Sequence, residues 1–499
     1  DWQRWSGELF AHFPRVDVSR LHRHADLEGL QVAQGRGAVR AWVDVQRGQI
    51  GGGTVDMALD EVNATLGKNL RPLALRTVTG RVGGRWLEDG FELSTQNLQF
   101  VADDGLRWPG GNLALRHSGQ GQAGRERGEL QADRLDLAAL AQIASRLPLG
   151  DTVHGAVRDY APRGLVEQLR AEWQGPLAQP QKYQVRGKVA GLALAADDAV
   201  PTVAGLSGAQ VSFDLTQAGG QAELAMADGT LRLPGVFEEP VVPVQRLEAG
   251  VRWQIEGERI AVQTSQLRFA NADAQGEARL SWHTGDPAAS PARARFPGVL
   301  DLSGTLSRAD GTRVHRYLPL TVPAESRHYV RDAILAGTAS QVQFRVKGDL
   351  HDFPYGHVPR EGEFHIAARV KDVTYGYVPP ALLHAGDRPW PALTALSGEL
   401  VFDRAGMEVR NATGRFAGYP ALRVQKVNAK IADLQHTEVV VGADVRGPLP
   451  DMLALVSASP ISRLTQGALD RAAATGVAEL QLGLTLPISR IDQSTVRGS

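Results

Sequence analysis

The feature that most constrains this chain is a one-sided alternation of apolar and polar residues, clearest in segment 477–487. Ala478, Leu480, Leu482, Leu484 and Leu486 occupy every second position there, and polar residues or glycine stand between them. Successive side chains of a β-strand point to opposite faces, so this pattern predicts a strand with one apolar face. The apolar faces of such strands must be covered by something, and the cover decides the function.

The same alternation recurs along most of the chain and predicts a mainly β protein. Short turn signals such as Asp228-Gly229 and Arg404-Ala405-Gly406 separate many of the strands, which favours antiparallel meanders. The residues predicted to share the apolar faces, and so to line any groove, are Val39, Ala41, Val43, Val45, Val211, Phe213, Leu215, Val251, Trp253, Ile255, Leu280, Trp282, Val342, Phe344, Val346, Phe364, Ile366, Val427, Ile431, Leu480, Leu482, Leu484 and Leu486.

Length and composition limit the class of protein. The chain has 499 residues, which is too long for one ordinary core and indicates several domains or an elongated repeating architecture. Its formal net charge is −1, so nothing suggests a nucleic-acid partner. It has no cysteine, which excludes disulfides, thiolate catalysis and cysteine-based zinc sites. The chain contains no run of about 18 apolar residues, so the sequence predicts no membrane-spanning helix.

Helical insertions interrupt the β pattern, and three of them begin with similar residues. The segments Arg15–Leu21, Arg134–Leu140 and Arg308–Val314 resemble one another, and Asp17, Asp136 and Thr312 are suited to be helix N-caps. Further helices are predicted near 163–173 and 324–336, and a fourth insertion begins at Gly447-Pro448.

These signals predict a loose internal repeat of β segments and insertions. The predicted boundaries are 1–30 for the end of a preceding repeat with a short helical insertion, 31–135, 176–309 and 338–447 for β segments, 136–175, 310–337 and 448–474 for helical insertions, and 475–499 for the start of a further β segment.

The balance of strands and helices restricts the architecture. Short helices are too few to cover the apolar side of a long sheet. The sheet must therefore pair with a second sheet as a sandwich, close as a barrel, or curl into a trough whose lining faces a ligand. The pattern alone favours the sandwich, because most two-faced strands pack against protein.

Signatures of catalysis and metal binding are weak. Gly205–Ala209 fails the Gly-x-Ser-x-Gly pattern at its fifth position, and Gly51–Gly53 lacks the lysine of a phosphate loop. His22 and His24 are better explained as a surface pair than as ligands. Asn271–Gly276 departs from a calcium loop, since Trp282 stands where the glutamate should be. We expect no enzyme activity, cofactor or metal.

Several landmarks together resemble one known family. They are Gly35–Trp42, Arg134–Leu137, Phe269–Gly276, Arg316–Pro319, Lys347–Pro354, Tyr377–Pro379, Val445–Leu449 and Ser494–Gly498. In this order they look like the YhdP family of AsmA-like bacterial envelope proteins, across essentially the whole chain. The resemblance implies an elongated, twisted antiparallel sheet that curls into a U-shaped apolar groove with short helical insertions.

The resemblance also implies a location and a function. Family members are anchored in the inner membrane by an N-terminal helix, which would lie outside this chain, and extend through the periplasm. They resemble bridge-like lipid transfer proteins, and their proposed role is to move glycerophospholipids to the outer membrane, so the expected partners are phospholipid acyl chains and the inner and outer membranes. The chain would be a central segment of that conduit.

Two other functions stay open at the level of sequence. One is a structural scaffold of the envelope with a sealed β-sandwich core and no lipid. The other is a glycan-active enzyme, which would need paired carboxylates in a cleft. Scattered Asp and Glu residues do not exclude that enzyme, but no constellation supports it.

Overall fold

The computed structural model describes residues 4–23, 31–66, 70–119, 124–147, 151–177, 179–196, 204–290, 292–356, 362–383, 386, 388–464, 466–469, 471–488 and 493–499. Of the chain, 63% is strand, and the 24 strands belong to one antiparallel sheet that does not close on itself. The prediction of a mainly β protein with few helices is confirmed. A pair of separate sheets, as in a sandwich, is not what the described strands form.

The chain divides into two compact units. Unit 1 comprises 1–234, 241–243 and 251–256, and unit 2 comprises 235–240, 244–250 and 257–499. The strands of unit 1 are β1 (Gly7–Asp17), β2 (Gln31–Gln46), β3 (Gln49–Thr65), β4 (Leu73–Leu87), β5 (Gly90–Ala102), β6 (Arg107–Trp108), β7 (Leu113–Ser118), β8 (Arg127–Asp136), β9 (Arg163–Gln174), β10 (Lys182–Leu194), β11 (Gly205–Thr216) and β12 (Gly219–Arg232). Strand β13 (Val241–Glu256) has residues in both units.

Unit 2 contains the remaining strands. They are β14 (Arg259–Ala270), β15 (Ala274–His283), β16 (Val299–Asp310), β17 (Ile334–Asp349), β18 (Glu363–Tyr375), β19 (Leu393–Asp403), β20 (Gly406–Phe416), β21 (Tyr419–Ile431), β22 (Glu438–Pro448), β23 (Val477–Pro487) and β24 (Thr495–Gly498). Within it each strand pairs antiparallel with the next, from β14 to β24.

The helices are short and lie between strands. The α-helices are α1 (Leu137–Ile143), α2 (Asp151–Tyr160), α3 (Ala324–Ala333), α4 (Leu449–Ala458) and α5 (Ile461–Leu464). One-to-two-turn 3₁₀ helices span Val18–Arg23, Ala144–Arg146, Gly311–Tyr317, Leu350–Asp352 and Pro380–Leu382. No helix among the described residues is both long and apolar enough to cross a bilayer.

The insertions after β1, β8, β16 and β22 leave from the same end of the strands within their unit, whereas the short 3₁₀ helix Leu350–Asp352, after β17, lies at the other end. In an antiparallel meander, successive connections alternate between the two ends of the strands. In unit 1 the insertions follow β1 and β8, and in unit 2 they follow β16 and β22. We call this the helix end of each unit and the opposite one the turn end. In unit 1, the turn end carries the connections β2–β3, β4–β5, β7–β8, β9–β10 and β11–β12.

An aspartate ends the strand before three of the insertions and caps the helical turn that comes next. The side chain of Asp136 accepts a hydrogen bond from the Ala139 backbone N–H at the start of α1. Asp17 accepts from the N–H of Ser19, and Asp310 accepts from the N–H of Thr312. The predicted caps Asp17 and Asp136 are confirmed. The prediction of Thr312 is wrong, because Thr312 is a donor to Asp310, the residue that corresponds to the other two.

One predicted helix and one predicted turn are wrong. Segment 163–173 is not helical but lies in β9, which pairs with β8 and β10, and the helix of that insertion is α2. Asp228-Gly229 is not a turn between strands but lies inside β12, where Asp228 has a positive φ of 55°. The helix predicted near 324–336 is confirmed and ends at Ala333.

Substituting Asp136 by alanine should destabilise α1 by about 1 kcal/mol, because the cap bond to the Ala139 N–H is lost. Hydrogen exchange of the amides in α1 would measure the effect as a local loss of protection. Asn caps helices as well as Asp does, so Asp136→Asn is the matched control and should retain protection. Equal loss in both variants would contradict the capping role.

The sealed core of unit 1 lies at its helix end. It consists of Val18, Val39, Leu59, Val62, Ala64, Leu73, Leu75, Val78, Phe100, Ala102, Leu106, Ala139 and Ile143. Ala139 and Ile143 come from α1 and Val18 from the first 3₁₀ helix, and the other members come from strands and the loop before β6. The insertions of unit 1 therefore cover the apolar face of the sheet at this end.

Candidate functional site

The first part of the site is an apolar ladder across unit 1. Residues directly opposite each other in an antiparallel pair place their side chains on the same face. Following these partners from β1 to β12 defines the unit 1 ladder: Leu9, Val43, Gly53, Gly84, Leu93, Leu115, Leu130, Ala171, Val185, Leu215 and Gly220. Every member is apolar or glycine, so the apolar face is continuous across the unit.

Unit 2 has a ladder of the same kind. From β14 to β23 the opposite partners are Leu267, Ala278, Gly304, Phe344, Ile366, Phe402, Met407, Ile431, Val439 and Leu486, which we call the unit 2 ladder. A Cβ added at Gly304 would overlap the Phe344 ring, so the glycine makes room for the aromatic side chain. The face is apolar across each of these strands.

The ladders are only partly shielded from solvent. In unit 1, Leu9 is 52% exposed and Leu93 is 39% exposed. In unit 2, Phe344, Ile366 and Leu486 are half-buried. A sealed core would bury such side chains almost completely. The middle of each apolar face is therefore open enough for another apolar molecule to contact it.

The structure places most of the predicted lining residues on these faces. Val43, Leu215, Phe344, Ile366, Ile431 and Leu486 are ladder members, and Val346 lies opposite Phe364 in the next row. The residues two, four or six positions along a strand from a ladder member, on the same face, are Val39, Ala41, Val45, Val211, Phe213, Leu280, Trp282, Val342, Val427, Leu480, Leu482 and Leu484. Contact of these residues with lipid stays a prediction.

Four of the predicted lining residues, Val39 and three residues of β13, have different surroundings from the rest. Val39 belongs to the sealed core of unit 1, where a lipid would find no space. Val251, Trp253 and Ile255 lie on β13, and the Trp253 ring lies beside Gly220 at the end of the unit 1 ladder. Ile255 is 38% exposed, and its N–H donates to the Ala218 carbonyl.

The opposite face of the sheet, which we call the polar face, carries cross-strand ion pairs in both units beside a few apolar side chains such as Phe10. In unit 1, Arg81 donates to both carboxylate oxygens of Asp56, at 2.5 and 3.0 Å, and this hydrogen bonding holds the pKa of Asp56 below its ordinary value. In unit 2, Arg345 lies 2.8 Å from Glu363 and 3.4 Å from Asp301. These ion pairs suit water, so the polar face needs a cover less than the ladder face does.

At the helix end of unit 2, a polar cluster fixes the insertion between β16 and β17. Arg316 contacts Asp273 at 2.6 Å and Glu239 at 2.8 Å, and the Tyr317 hydroxyl donates to Asp273. Asp273 is 7% exposed, so its charge is compensated where it is buried.

A second set of contacts holds α3 in place. Arg327, 8% exposed, donates to Glu238 at 3.1 Å and to the carbonyl of Val322. Hydrogen bonds from His328 and Arg327 lower the pKa of Glu238. These polar contacts attach the insertion to unit 2 and explain its position without any catalytic role.

The motifs weighed for catalysis lie in ordinary structural positions. Gly205–Ala209 is part of β11, and Asn271 accepts from the N–H groups of Asp273 and Ala274 in the β14–β15 turn. Asn271–Gly276 thus spans this turn and the start of β15 at Ala274. His24 lies outside the described residues. Over the ranges that the structure describes, no three His, Asp or Glu side chains come together as metal ligands would.

Sequence reasoning missed several ladder members. Leu93, Leu115 and Leu130 in unit 1 and Phe402 and Val439 in unit 2 were not among the predicted lining residues, although they are opposite neighbours of residues on the same face. The signal was the same alternation, for example at Leu113, Leu115 and His117. It was weaker there because β7 is only six residues long.

Comparison with known proteins gives one match. The model of the family described as YhdP protein matches residues 1–499. No curated protein and no solved structure matches the chain. The match covers the whole chain, including both ladders and every helical insertion. The chain therefore belongs to the YhdP protein family.

Proposed function

We propose that this chain is a segment of a lipid conduit that shields acyl chains while glycerophospholipids move between the inner and outer membranes. The observation that carries the proposal is the pair of continuous apolar ladders, one in each unit, whose members other than Ile431 are half-buried or exposed. Family membership supports it, since it suggests an envelope protein of the AsmA-like group. The proposed location is the periplasm, with anchorage to the inner membrane by a helix outside this chain.

The physical reason is the cost of exposing acyl chains to water. Each methylene that leaves apolar surroundings costs about 0.8 kcal/mol, so a sixteen-carbon chain costs roughly 13 kcal/mol and two chains cost twice as much. An apolar face that is continuous from strand to strand removes most of this barrier along its length. The curl of the sheet into a U-shaped groove is part of the proposal, because it would bring both walls into contact with the chains.

The proposed role needs no catalytic group. The side chains must exclude water and leave space for the acyl chains, and an apolar face built from alternating residues does both. The lipid headgroup can stay in solvent. We therefore propose that the protein is not an enzyme and that it supports lipid homeostasis of the outer membrane.

The proposal can be tested by photo-crosslinking from the two faces of the same strands. A photoreactive amino acid at Phe344 or Leu482 should capture phospholipid, and the purified chain should carry phospholipid detectable by mass spectrometry. The matched controls are the adjacent positions Arg345 and Gln481, which lie on the polar face and should capture little.

Two outcomes would contradict the conduit. Equal capture from both faces would mean that lipid adheres to the surface without using the apolar side. No capture at any position, with no co-purified lipid, would favour a scaffold whose apolar face is covered by protein.

A further inference from the structure

An aromatic row lies at the turn end of unit 1, on the same face as the unit 1 ladder. It contains Trp86, Phe91, His117, Trp173 and Tyr183, each two residues from a ladder member and nearer the turns. The residues of the row are opposite neighbours on successive strands, with Gly128 of β8 between His117 and Trp173. The row is therefore continuous from β4 to β10.

The side chains of the row contact one another from Trp86 to Trp173. The ring centroids of Trp86 and Phe91 are 6.4 Å apart, those of Phe91 and His117 are 5.8 Å apart and stacked, and those of His117 and Trp173 are 6.4 Å apart. A Cβ added at Gly128 would overlap the Trp173 ring, so Trp173 lies directly over the glycine. Trp86 is 64% exposed and forms the open end of the row.

Polar atoms within the row have no hydrogen-bond partner. His117 is 4% exposed and Trp173 is 9% exposed, and in the described part of the chain both ring nitrogens of His117 and the indole nitrogen of Trp173 are unpartnered. Buried donors are nearly always satisfied, so an unsatisfied group in a native protein indicates a missing partner. Two neighbouring groups of this kind on an apolar face indicate a ligand that offers hydrogen-bond acceptors.

We infer that the aromatic row receives the glycerol-ester region of the phospholipid, with the headgroup at the turn end and the acyl chains over the unit 1 ladder. This inference rests on the proposed function. The ester and phosphate oxygens of a glycerophospholipid are acceptors, which suits the indole N–H of Trp173 and a ring N–H of His117. Trp and Tyr also favour positions with one apolar and one wet side, as at membrane interfaces.

The two ends of unit 1 differ in a way that fixes this orientation. The helix end is sealed by the insertions, where Ala139 and Ile143 are 4% and 3% exposed. In the part of the chain that the structure describes, the connections at the turn end contain no helical insertion, so the row is not covered there as the core is. Among the described residues of unit 1, the turn end thus combines an open apolar face with unpartnered polar side chains.

Two photoreactive phospholipids would test the orientation on the full chain. Both are phosphatidylethanolamines, one with a diazirine in the headgroup and the other with a diazirine at the end of an acyl chain. Peptide mapping by mass spectrometry should place the headgroup label near Trp86, Phe91 and Tyr183. The chain-end label should lie on ladder residues such as Leu115 and Val185.

The outcomes separate this inference from the proposed function. Headgroup labels at the helix end, or spread evenly over both ends, with chain-end labels still on the ladder, would overturn the orientation and leave the conduit intact. Absence of both labels from the apolar face would overturn the conduit and the orientation together.

Variants of the row give a second readout. Trp86→Ala should reduce headgroup labelling at the turn end by about fivefold and leave chain-end labelling unchanged. Trp42→Ala is the matched control, since Trp42 lies on the opposite face near Arg81 and should change neither label. Gly128→Ala should displace Trp173 and reduce headgroup labelling as Trp86→Ala does. Unchanged headgroup labelling in both Trp86→Ala and Gly128→Ala would overturn the inference.

Discussion

Replacing Leu75 by alanine is expected to destabilise unit 1 by about 2–5 kcal/mol, whereas the same change at Leu115 should cost only about 1 kcal/mol. Leu75 is 6% exposed and belongs to the sealed core at the helix end. Its truncation leaves a cavity that the surrounding strands and α1 cannot fill. Leu115 is a half-buried ladder residue, so solvent reaches the space that its truncation opens.

The two leucines form a matched pair, because both lie in strands of the same unit and undergo the same change. Hydrogen exchange followed by mass spectrometry would measure protection of β3, β4 and α1 in each variant. Protection there should fall strongly for Leu75→Ala and stay close to that of the unchanged chain for Leu115→Ala. Similar losses in both variants would mean that the ladder is as sealed as the core, and the open apolar face would be ruled out.

The sequence predicted the two faces well because alternation is a local property. Phe344 and Ile366 were predicted separately from their own strands, and they lie directly opposite each other. The same holds for Val346 and Phe364. A continuous ladder arises once each strand has one apolar face and neighbouring strands pair in register. The pattern could not reveal whether that face is sealed, since alternation is the same in a sandwich and in an open sheet.

The wrong predictions of secondary structure come from bulges within strands. The helix predicted near 163–173 is strand β9, whose apolar residues Val166, Leu169, Ala171 and Trp173 share a face. The three-residue step from Val166 to Leu169 arises because Gln168 has a positive φ of 54° and adds one residue to the strand. A step of three is typical of a helix, so the bulge gave the strand a helical pattern.

Other bulges have equally little signal in the sequence. Glu61, Gln341 and Lys426 have φ between 49° and 52° inside strands, a conformation that glycine and asparagine adopt more readily. Each shifts the register of pairing, as between Ser340 and Gln343 in the β17–β18 pair. Cross-strand pairing overrides the preference of these residues for a negative φ. The residues of one strand do not reveal that pairing.

For the capping residues, the internal repeat of the sequence does predict the structure. Asp17, Asp136 and Asp310 stand at the same place in three similar segments, and each accepts a hydrogen bond from the turn immediately after it. In the third segment the cap is Asp310 and not Thr312, which stands two residues further along the chain. Aligning the three segments by their aspartates would have given the correct cap.

Replacing Phe344 by glutamate is expected to interrupt the conduit, with at least about a tenfold loss of lipid photolabelling on the unit 2 ladder. An ionised carboxylate against acyl chains would lose its hydration without a partner, at a cost of several kcal/mol, and 1.4 kcal/mol already corresponds to tenfold. Because Phe344 is half-buried, the carboxylate can hydrate when no lipid is present, so the fold should persist. Lipid labelling and hydrogen exchange on the same sample would measure both effects.

The control is the same new charge one residue away. Gln343 is exposed and lies on the polar face, opposite Thr305 and Ala367, so Gln343→Glu should affect neither labelling nor protection. Loss of protection throughout unit 2 in Phe344→Glu would instead indicate that the ring is part of a sealed core. Normal labelling in a folded Phe344→Glu chain would show that lipid does not pass along this face. The conduit therefore requires that Phe344→Glu keeps the protection of the folded chain and loses lipid labelling on the unit 2 ladder.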